Sequence, residues 1–337
     1  MRRLLLCIFG LSGGLLLGGC VDRYVPDVPP AERSNLVVDG FINPLGTTVI
    51  RLSRTFSVNT KNTGSAEARA RVTIQDETGR SYSFTEGPAG TYTSAAQTLD
   101  PARQYQLRIT TAQGRTYASD LLPVVLTPPI TDLTWQVTPG GGAEVFLSTR
   151  GANNAQRFYR WEYAGTWQFA SPGAISPDRR VCWRTDFSTA ILQSNTTQLS
   201  QNSLIDFPLL TLLPGIELKY GYSVLVRQVT QTQGEYDYWE RLRKSTENLG
   251  TVNDPLPSRV TGNMHALADP AEPVLGYVGV HSVTEKRLFI NGALFPTPRP
   301  ETIYFDPAYA NCVGADAPAI CSDCTLRGTN AKPSFWP

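Results

Sequence analysis

The chain has 337 residues, of which 18% are charged, with 30 Lys and Arg against 29 Asp and Glu and a formal net charge of +1. No block of like charge stands out, which excludes the basic footprint of a nucleic-acid-binding protein. Gly and Pro are numerous, at 28 and 25 residues. This composition is typical of many short strands joined by turns rather than of a helical protein.

The first residues predict a secretory signal. Arg2 and Arg3 precede an almost wholly apolar run from Leu4 to Leu17, which is too short for a transmembrane span. The ending Leu17-Gly18-Gly19-Cys20 resembles the bacterial lipobox, in which the cysteine thiol is acylated and the cysteine becomes the first mature residue. The alternative is an ordinary signal with a chance cysteine. We therefore expect a signal peptide over 1–19 and a lipid anchor on Cys20 that attaches the protein to a membrane.

The next segments predict a tether and a first domain. Residues 20–34 contain Pro26, Pro29 and Pro30 and few residues that could pack, which indicates an extended tether. Residues 35–127 contain about seven short alternating segments separated by turn signals, including a hairpin around Gly79. The fold class is therefore mainly β, with an N-terminal immunoglobulin-like or transthyretin-like β-sandwich.

Residues 128–337 predict a second, larger β-rich domain with one helix. Strand patterns recur, including the aromatic run from Phe158 to Tyr163. Near 235–249 the apolar residues instead follow helical spacing. Thr232 and Glu235 fit a capping box at the start of this helix, and Gly250 fits its end.

Four cysteines lie beyond the lipobox. Cys182, Cys312, Cys321 and Cys324 form an even set in an exported chain, which favours two disulfides that tie down a Pro-rich C-terminal tail. The spacing of Cys321 and Cys324 leaves redox chemistry or a zinc site as alternatives. No strand–helix context supports the first, and no second Cys-x-x-Cys pair supports the second.

No catalytic signature stands out elsewhere. His265 and His281 are the only two histidines, and no nucleophile elbow, phosphate-binding loop or dinucleotide motif occurs. Asp237, Glu240 and Asp269 are the acids that a hydrolase would use. Trp161, Trp167, Trp183 and Trp239 could form a binding platform, although core packing explains strand tryptophans better. We expect a protein that is not an enzyme and holds no metal or cofactor.

Several segments together resemble a known family. They are Leu36–Gly40, Gly90–Tyr92, Phe158–Trp161, Cys182–Trp183, Val226–Gln228, Tyr238–Leu242, Pro257–Asn263, Leu275–Tyr277, Cys321–Cys324 and Gly328–Trp336. In this order they are similar to the Bacteroidota lipoproteins of domain-of-unknown-function family four-two-four-nine. The resemblance implies an outer-membrane lipoprotein, often encoded beside a TonB-dependent receptor, with no established activity.

Three functional hypotheses follow. The leading one is a non-enzymatic accessory or binding component of a TonB-dependent transport system, anchored in the outer membrane through Cys20, with a receptor as partner. The second is an adhesion or structural envelope lipoprotein, and the third is a hydrolase. Neither the ligand nor the membrane face is predicted by these residues.

Overall fold

The fold is mainly β in this computed structural model, which describes residues 34–56, 65–171, 173–247, 260–295 and 319–337. The mainly-β prediction is confirmed, and the sheets have a sandwich-like arrangement. The predicted signal peptide, Cys20, Cys312 and all but the last residue of the predicted tether lie outside the described residues. Within the described residues, no helix combines the length and apolar composition needed to cross a membrane.

The first unit consists of short strands whose side chains alternate between core and surface. Its strands are β1 (Leu36–Gly40), β2 (Leu45–Gly46), β3 (Val49–Arg54), β4 (Arg71–Asp76), β5 (Ser81–Glu86), β6 (Thr91–Ser94), β7 (Gln97–Thr98), β8 (Gln104–Thr110), β9 (Thr116–Ser119) and β10 (Leu122–Pro123). In β8, Tyr105, Leu107 and Ile109 are buried, while the residues between them are not. This period of two gives β8 one apolar face for the core of the unit.

The second unit contains longer strands and, among the described residues, two α-helices. Its strands are β11 (Ile130–Val137), β12 (Ala143–Arg150), β13 (Phe158–Ala170), β14 (Val181–Phe187), β15 (Leu192–Asn195), β16 (Ser203–Leu212), β17 (Tyr222–Gln231) and β19 (Val283–Ile290), and its helices are α1 (Ile216–Lys219) and α2 (Gln233–Glu247). A further strand, β18 (Met264–Ala266), joins the first unit. Short 3₁₀ helices cover Pro177–Arg179, Gly292–Leu294, Ala319–Cys321 and Cys324–Leu326.

Two sheets enclose the core of the second unit. One has the order β11-β12-β16, and the other has the order β14-β13-β17-β19, with β15 also paired to β13. The core between them contains Trp161, Tyr159, Val145 and Leu147, each almost fully buried. Strand β13 is long enough to pair along its length with β14, β15 and β17, and it is therefore the centre of this unit.

The division of the chain into 35–127 and 128–337 needs a correction. Strand β18 pairs with β9, and the following residues run beside β1, so that Met264, Val274, Val278 and Val280 belong to the core of the first unit. We call residues 264–282 the return segment. It completes the sandwich because its apolar side chains fill space that the strands before residue 127 leave open.

The helix prediction is confirmed in type, with a change at its start. Helix α2 begins at Gln233, two residues before the predicted start, and is described to Glu247, whereas Gly250 lies outside the described residues. The backbone N–H of Glu235 donates to the hydroxyl of Thr232 at 3.3 Å, as a capping threonine requires. The side chain of Glu235 does not complete the predicted capping box, because it is directed into the interior towards His281.

A candidate binding cleft between the two units

A cavity of about 910 Å³ lies between the first unit and the second. One wall is formed by β1 and the residues that follow it, and another by helix α2. The strands β13, β17 and β19 contribute charged side chains, and the return segment closes the cavity with Leu275, Gly276 and Tyr277. We call this cavity the central cleft. Its position between two packed units is typical of binding sites.

The return segment holds the cleft wall in place through backbone contacts. Asn263 acts as a clamp, since its side-chain oxygen accepts from the N–H of Val278 at 2.9 Å and its side-chain nitrogen donates to the carbonyl of the same residue at 3.0 Å. Gly276 has a φ of +114°, and a Cβ built there would clash with the carbonyl oxygen of Val38. A Cβ at Gly262 would clash with Gly276 in turn. The Val-Thr-Gly-Asn and Leu-Gly-Tyr segments therefore serve close backbone packing.

Glu235 and His281 form a buried pair behind the cleft. The Glu235 carboxylate and His281 Nε2 are 3.3 Å apart, and the side chains are 4% and 1% exposed. The imidazole stacks on the ring of Phe41, with 4.3 Å between the centroids. A Cβ at Gly279 would clash with the Glu235 carboxylate, so the return segment has room for this carboxylate only because that residue is glycine.

The electrostatics of this pair favour an ionised glutamate. Burial raises the pKa of Glu235, because a charge is poorly solvated in the interior. The charge and hydrogen bond of His281, with the nearby Arg160, outweigh that effect and leave the pKa below its ordinary value. The pair therefore joins helix α2 of the second unit to the return segment through a buried carboxylate–imidazole contact.

Aromatic rings and an arginine form the wall beside this pair. The Arg160 guanidinium lies 4.5 Å from the ring centroid of Trp239 and donates to Glu162 at 2.6 Å. Tyr238 contacts Trp239 edge-on, and its ring also lies 5.4 Å from the ring of Tyr277. The Arg160 guanidinium and the Trp239 ring thus form a preorganised platform, as expected for a cation over an indole face.

Two polar atoms in this wall have no hydrogen-bond partner among the described residues. They are Nε of Arg160 and Nε1 of Trp239, and both are buried. Leaving a buried donor unpaired costs about 1–3 kcal/mol. Such donors are therefore rare in native proteins, and each one calls for an explanation such as an ordered water or a functional role. These two donors are available to a molecule that enters the cleft or to ordered water.

The charges that line the cleft are balanced. Arg227 pairs with Glu285 at 2.7 Å, and Arg51 pairs with Asp39 at 3.5 Å, in addition to the Arg160–Glu162 pair. Neither sign dominates, which argues against a site built for a strongly charged anion or cation.

The predicted cysteine sites fall at the opposite end of the second unit. A disulfide links Cys182 on β14 to Cys324 in the tail, and Cys321 is also disulfide-bonded. The disulfide prediction is confirmed for the pair that the structure describes, and Cys321 and Cys324 do not pair with each other. Cys321 and Cys324 therefore each form a disulfide with a cysteine outside the Cys-x-x-Cys segment. The zinc and redox alternatives do not apply to Cys324.

The tail after these cysteines also packs on the second unit. Trp336 is buried and contacts Trp183 and Phe289 edge-on, with ring centroids 6.4 and 5.1 Å away. Trp183 and Thr329 exchange backbone hydrogen bonds at 2.8 and 2.9 Å. The closing Lys-Pro-x-Phe-Trp segment is thus structural, and it covers the edge of β14.

The other residues considered from the sequence are dispersed. Asp237 is exposed on α2, and Asp269 lies in the loop after β18. Glu240 accepts hydrogen bonds from Arg243 and Gln193, which lower its pKa to about 2, and a carboxyl with this pKa is unsuited to act as a general acid near neutral pH. His265 pairs with Asp120 on the exposed surface at 2.9 Å.

Of the four tryptophans considered from the sequence as a binding platform, three are buried and one lines the cleft. Trp161, Trp167 and Trp183 are buried, whereas Trp239 is only partly buried. The roles of Glu235 and Arg160 were not predicted from the sequence. The one signal that pointed to Glu235 was its place in a capping pattern, which indicated a different role. Among the described residues, no group of three or more His, Cys, Asp or Glu is arranged to hold a metal ion.

Fold and cleft together define a mainly-β protein of two sandwich-like units with an aromatic, charge-balanced cleft between them. Residues 21–287 match the family described as Domain of unknown function (DUF4249). The chain belongs to this family.

Other comparisons add little to this assignment. No curated protein matches the chain. A cytokine receptor complex (crystal form 2) is 14% identical, with a TM-score of 0.22, over 59% of this chain and 92% of that one. A two-domain fibronectin type-III segment of chicken tenascin is 15% identical, with a TM-score of 0.18, over 58% of this chain and 90% of that one. TM-scores this low carry no argument about function.

Proposed function

We propose that this protein is a non-enzymatic binding component of the bacterial outer membrane, anchored through an acylated Cys20, and that it contacts a TonB-dependent transporter through the central cleft. The anchor confines the protein to a surface, where a high effective concentration favours even weak contacts. The Pro-rich segment 20–34 supplies the reach between the lipid and the first unit.

The composition of the central cleft is the observation that carries this proposal. Its lining combines Tyr238, Trp239 and Tyr277 with three arginines, Arg51, Arg160 and Arg227. Tyr, Trp and Arg are the residue types enriched in protein–protein interfaces and among their energetic hot spots. The balanced ion pairs of the cleft fit a protein partner better than a highly charged small molecule.

In-cell photo-crosslinking tests the proposal. A photoreactive amino acid replaces Tyr277, which is half-buried in the cleft, and the matched control carries it at Ser83, which is exposed on β5 and does not line the cleft. We expect a crosslink to an outer-membrane β-barrel protein from position 277 but not from position 83. Equal labelling at both positions, or no barrel protein at either, contradicts the proposed interface.

A substitution in the cleft measures its contribution. Trp239→Ala removes the platform ring, and we expect the amount of copurified transporter to fall by about tenfold or more, as for an interface hot spot. Leu326→Ala is the control, since Leu326 is exposed in the tail away from the cleft lining. A circular dichroism spectrum must show that both variants are folded.

The hydrolase alternative predicts a different result. If a hydrolase screen finds turnover that Glu240→Gln or Asp269→Asn abolishes, while crosslinking captures no barrel protein, the enzymatic hypothesis replaces the proposed one. An adhesion or structural role predicts capture of other surface components without a barrel protein.

A further inference from the structure

A second cavity, of about 560 Å³, opens between the two sheets of the second unit. Strands β14 and β16, which flank it, are the edge strands of the two sheets, and Thr329 of the tail pairs with β14 at Trp183. We call this cavity the inter-sheet pocket. Its volume lies within the range of about 300–1,000 Å³ that is typical of small-molecule sites.

The walls of the inter-sheet pocket are aromatic and aliphatic. Trp167, Leu212 and Tyr222 form buried parts of the wall and belong to the core of the unit. Phe187 and Leu213 line the mouth and are 73% and 60% exposed. Large apolar side chains exposed at the mouth of a pocket indicate that an apolar group enters there.

One carboxylate in this pocket lacks a partner. Glu217 lies on helix α1, is only partly exposed, and makes no hydrogen bond or ion pair with another described residue. Burial, and then the charge of Asp186, raise the pKa of Glu217, while Arg184 lowers it to a smaller extent. An ionised Glu217 is therefore poorly compensated by the protein itself.

The other charged groups of the pocket already have partners. Arg184 donates to Asp186 at 3.1 Å, and its guanidinium lies 5.5 Å from the ring centroid of Trp167. Arg327 at the rim also has an interaction partner. Among the described residues that line the pocket, Glu217 is thus the charged side chain left for a ligand. The contact of the Arg184 guanidinium with Trp167 shows that an aromatic ring of this pocket accepts a cation.

We propose that the inter-sheet pocket binds a small organic ammonium compound with an apolar substituent, and that Glu217 is its counter-ion. The ammonium group would compensate the carboxylate, and the faces of Tyr163 and Tyr222 would contribute cation–π attraction. The apolar substituent would fill the space between the sheets, where burial of its surface contributes about 25 cal/mol per Å².

Isothermal titration of the full chain in lipid nanodiscs tests the proposal, with empty nanodiscs as the blank. The probes are 3-phenylpropylamine, the alcohol 3-phenylpropan-1-ol and the anion 3-phenylpropionate, which share one apolar body. We expect the amine to bind at least about tenfold more tightly than the alcohol, and the carboxylate to bind most weakly of the three.

Two variants test whether the amine binds at Glu217 rather than at another carboxylate. Glu217→Gln keeps the shape of the side chain, and we expect it to weaken amine binding by about tenfold while leaving alcohol binding unchanged. Glu285→Gln changes a carboxylate of the central cleft and serves as the control, with no effect expected. Equal affinity for the three probes, preference for the anion, no binding at all, or unchanged amine binding in Glu217→Gln would each overturn the proposal.

Discussion

The carboxylate of Glu235 and the imidazole of His281 lie 3.3 Å apart, and both side chains are almost fully buried. Helix α2 supplies the first and the return segment supplies the second. The contact therefore joins the one long helix of the second unit to the chain that completes the first. It also lies directly behind the platform of the central cleft.

Glu235→Gln should lower the free energy of unfolding by about 1–3 kcal/mol, because it removes the ionised carboxylate that contacts the buried imidazole of His281. Urea denaturation at neutral pH measures the change. Asp120→Asn is the matched control, since the Asp120–His265 pair has a similar distance but is more than half exposed. We expect this control to change the unfolding free energy by less than about 1 kcal/mol, and equal losses in both variants would contradict the role assigned to burial.

The stabilisation by Glu235 should depend on pH in a defined direction. Its pKa in the folded protein lies below its ordinary value of 4.5, so the folded state favours the ionised form. The contribution is therefore fully present above pH 4.5 and is lost as the pH falls through the lowered value. The difference in unfolding free energy between the wild type and Glu235→Gln should stay constant from neutral pH down to pH 4.5 and shrink below it, and a difference that grows on acidification would contradict this sign.

Cys182→Ser should lower the free energy of unfolding by about 2–5 kcal/mol through loss of the bond to Cys324, which closes a loop with a sequence separation of 142 residues. Denaturation of the oxidised protein measures the loss. Cys324→Ser and the double variant should show the same loss, because all three lack the same bond. Additive losses in the double variant would show that the two cysteines act separately.

Gly276→Ala should destabilise the protein by several kcal/mol, because both a φ of +114° and a clash with Val38 oppose a side chain there. Gly79→Ala is the matched control, since Gly79 has a φ of +90° but no atom within 4 Å of a built Cβ. We expect a loss of about 1 kcal/mol for the control. Thermal denaturation compares the two variants, and equal losses would exclude the close contact as the cause.

Cys20→Ala should release the protein from the membrane fraction if the predicted lipid is attached at this residue, since no spanning segment is predicted after it. Fractionation of cell envelopes with immunodetection measures the distribution. Cys7→Ala, a change within the predicted signal, should leave the protein in the membrane fraction. Sedimentation of the Cys20→Ala variant with the membranes would count against the lipid anchor.

The local elements of this protein are predictable from its residue pattern. Alternating residues such as Tyr105, Leu107 and Ile109 predicted strands, and helical spacing after Thr232 predicted α2, because period and capping depend on neighbours along the chain. The even number of cysteines in a chain with a predicted export signal predicted disulfides without their pairing. The mainly-β class followed from many such segments.

The meeting of distant segments is visible only in the folded chain. The return of 264–282 to the first unit joins residues more than a hundred positions apart, and no local period encodes such a pairing. The partner of Cys182 and the direction of the Glu235 side chain were decided in the same way. Long-range contacts depend on the packing of complete apolar faces, which exist only after the strands have formed, and both the central cleft and the inter-sheet pocket are products of that packing.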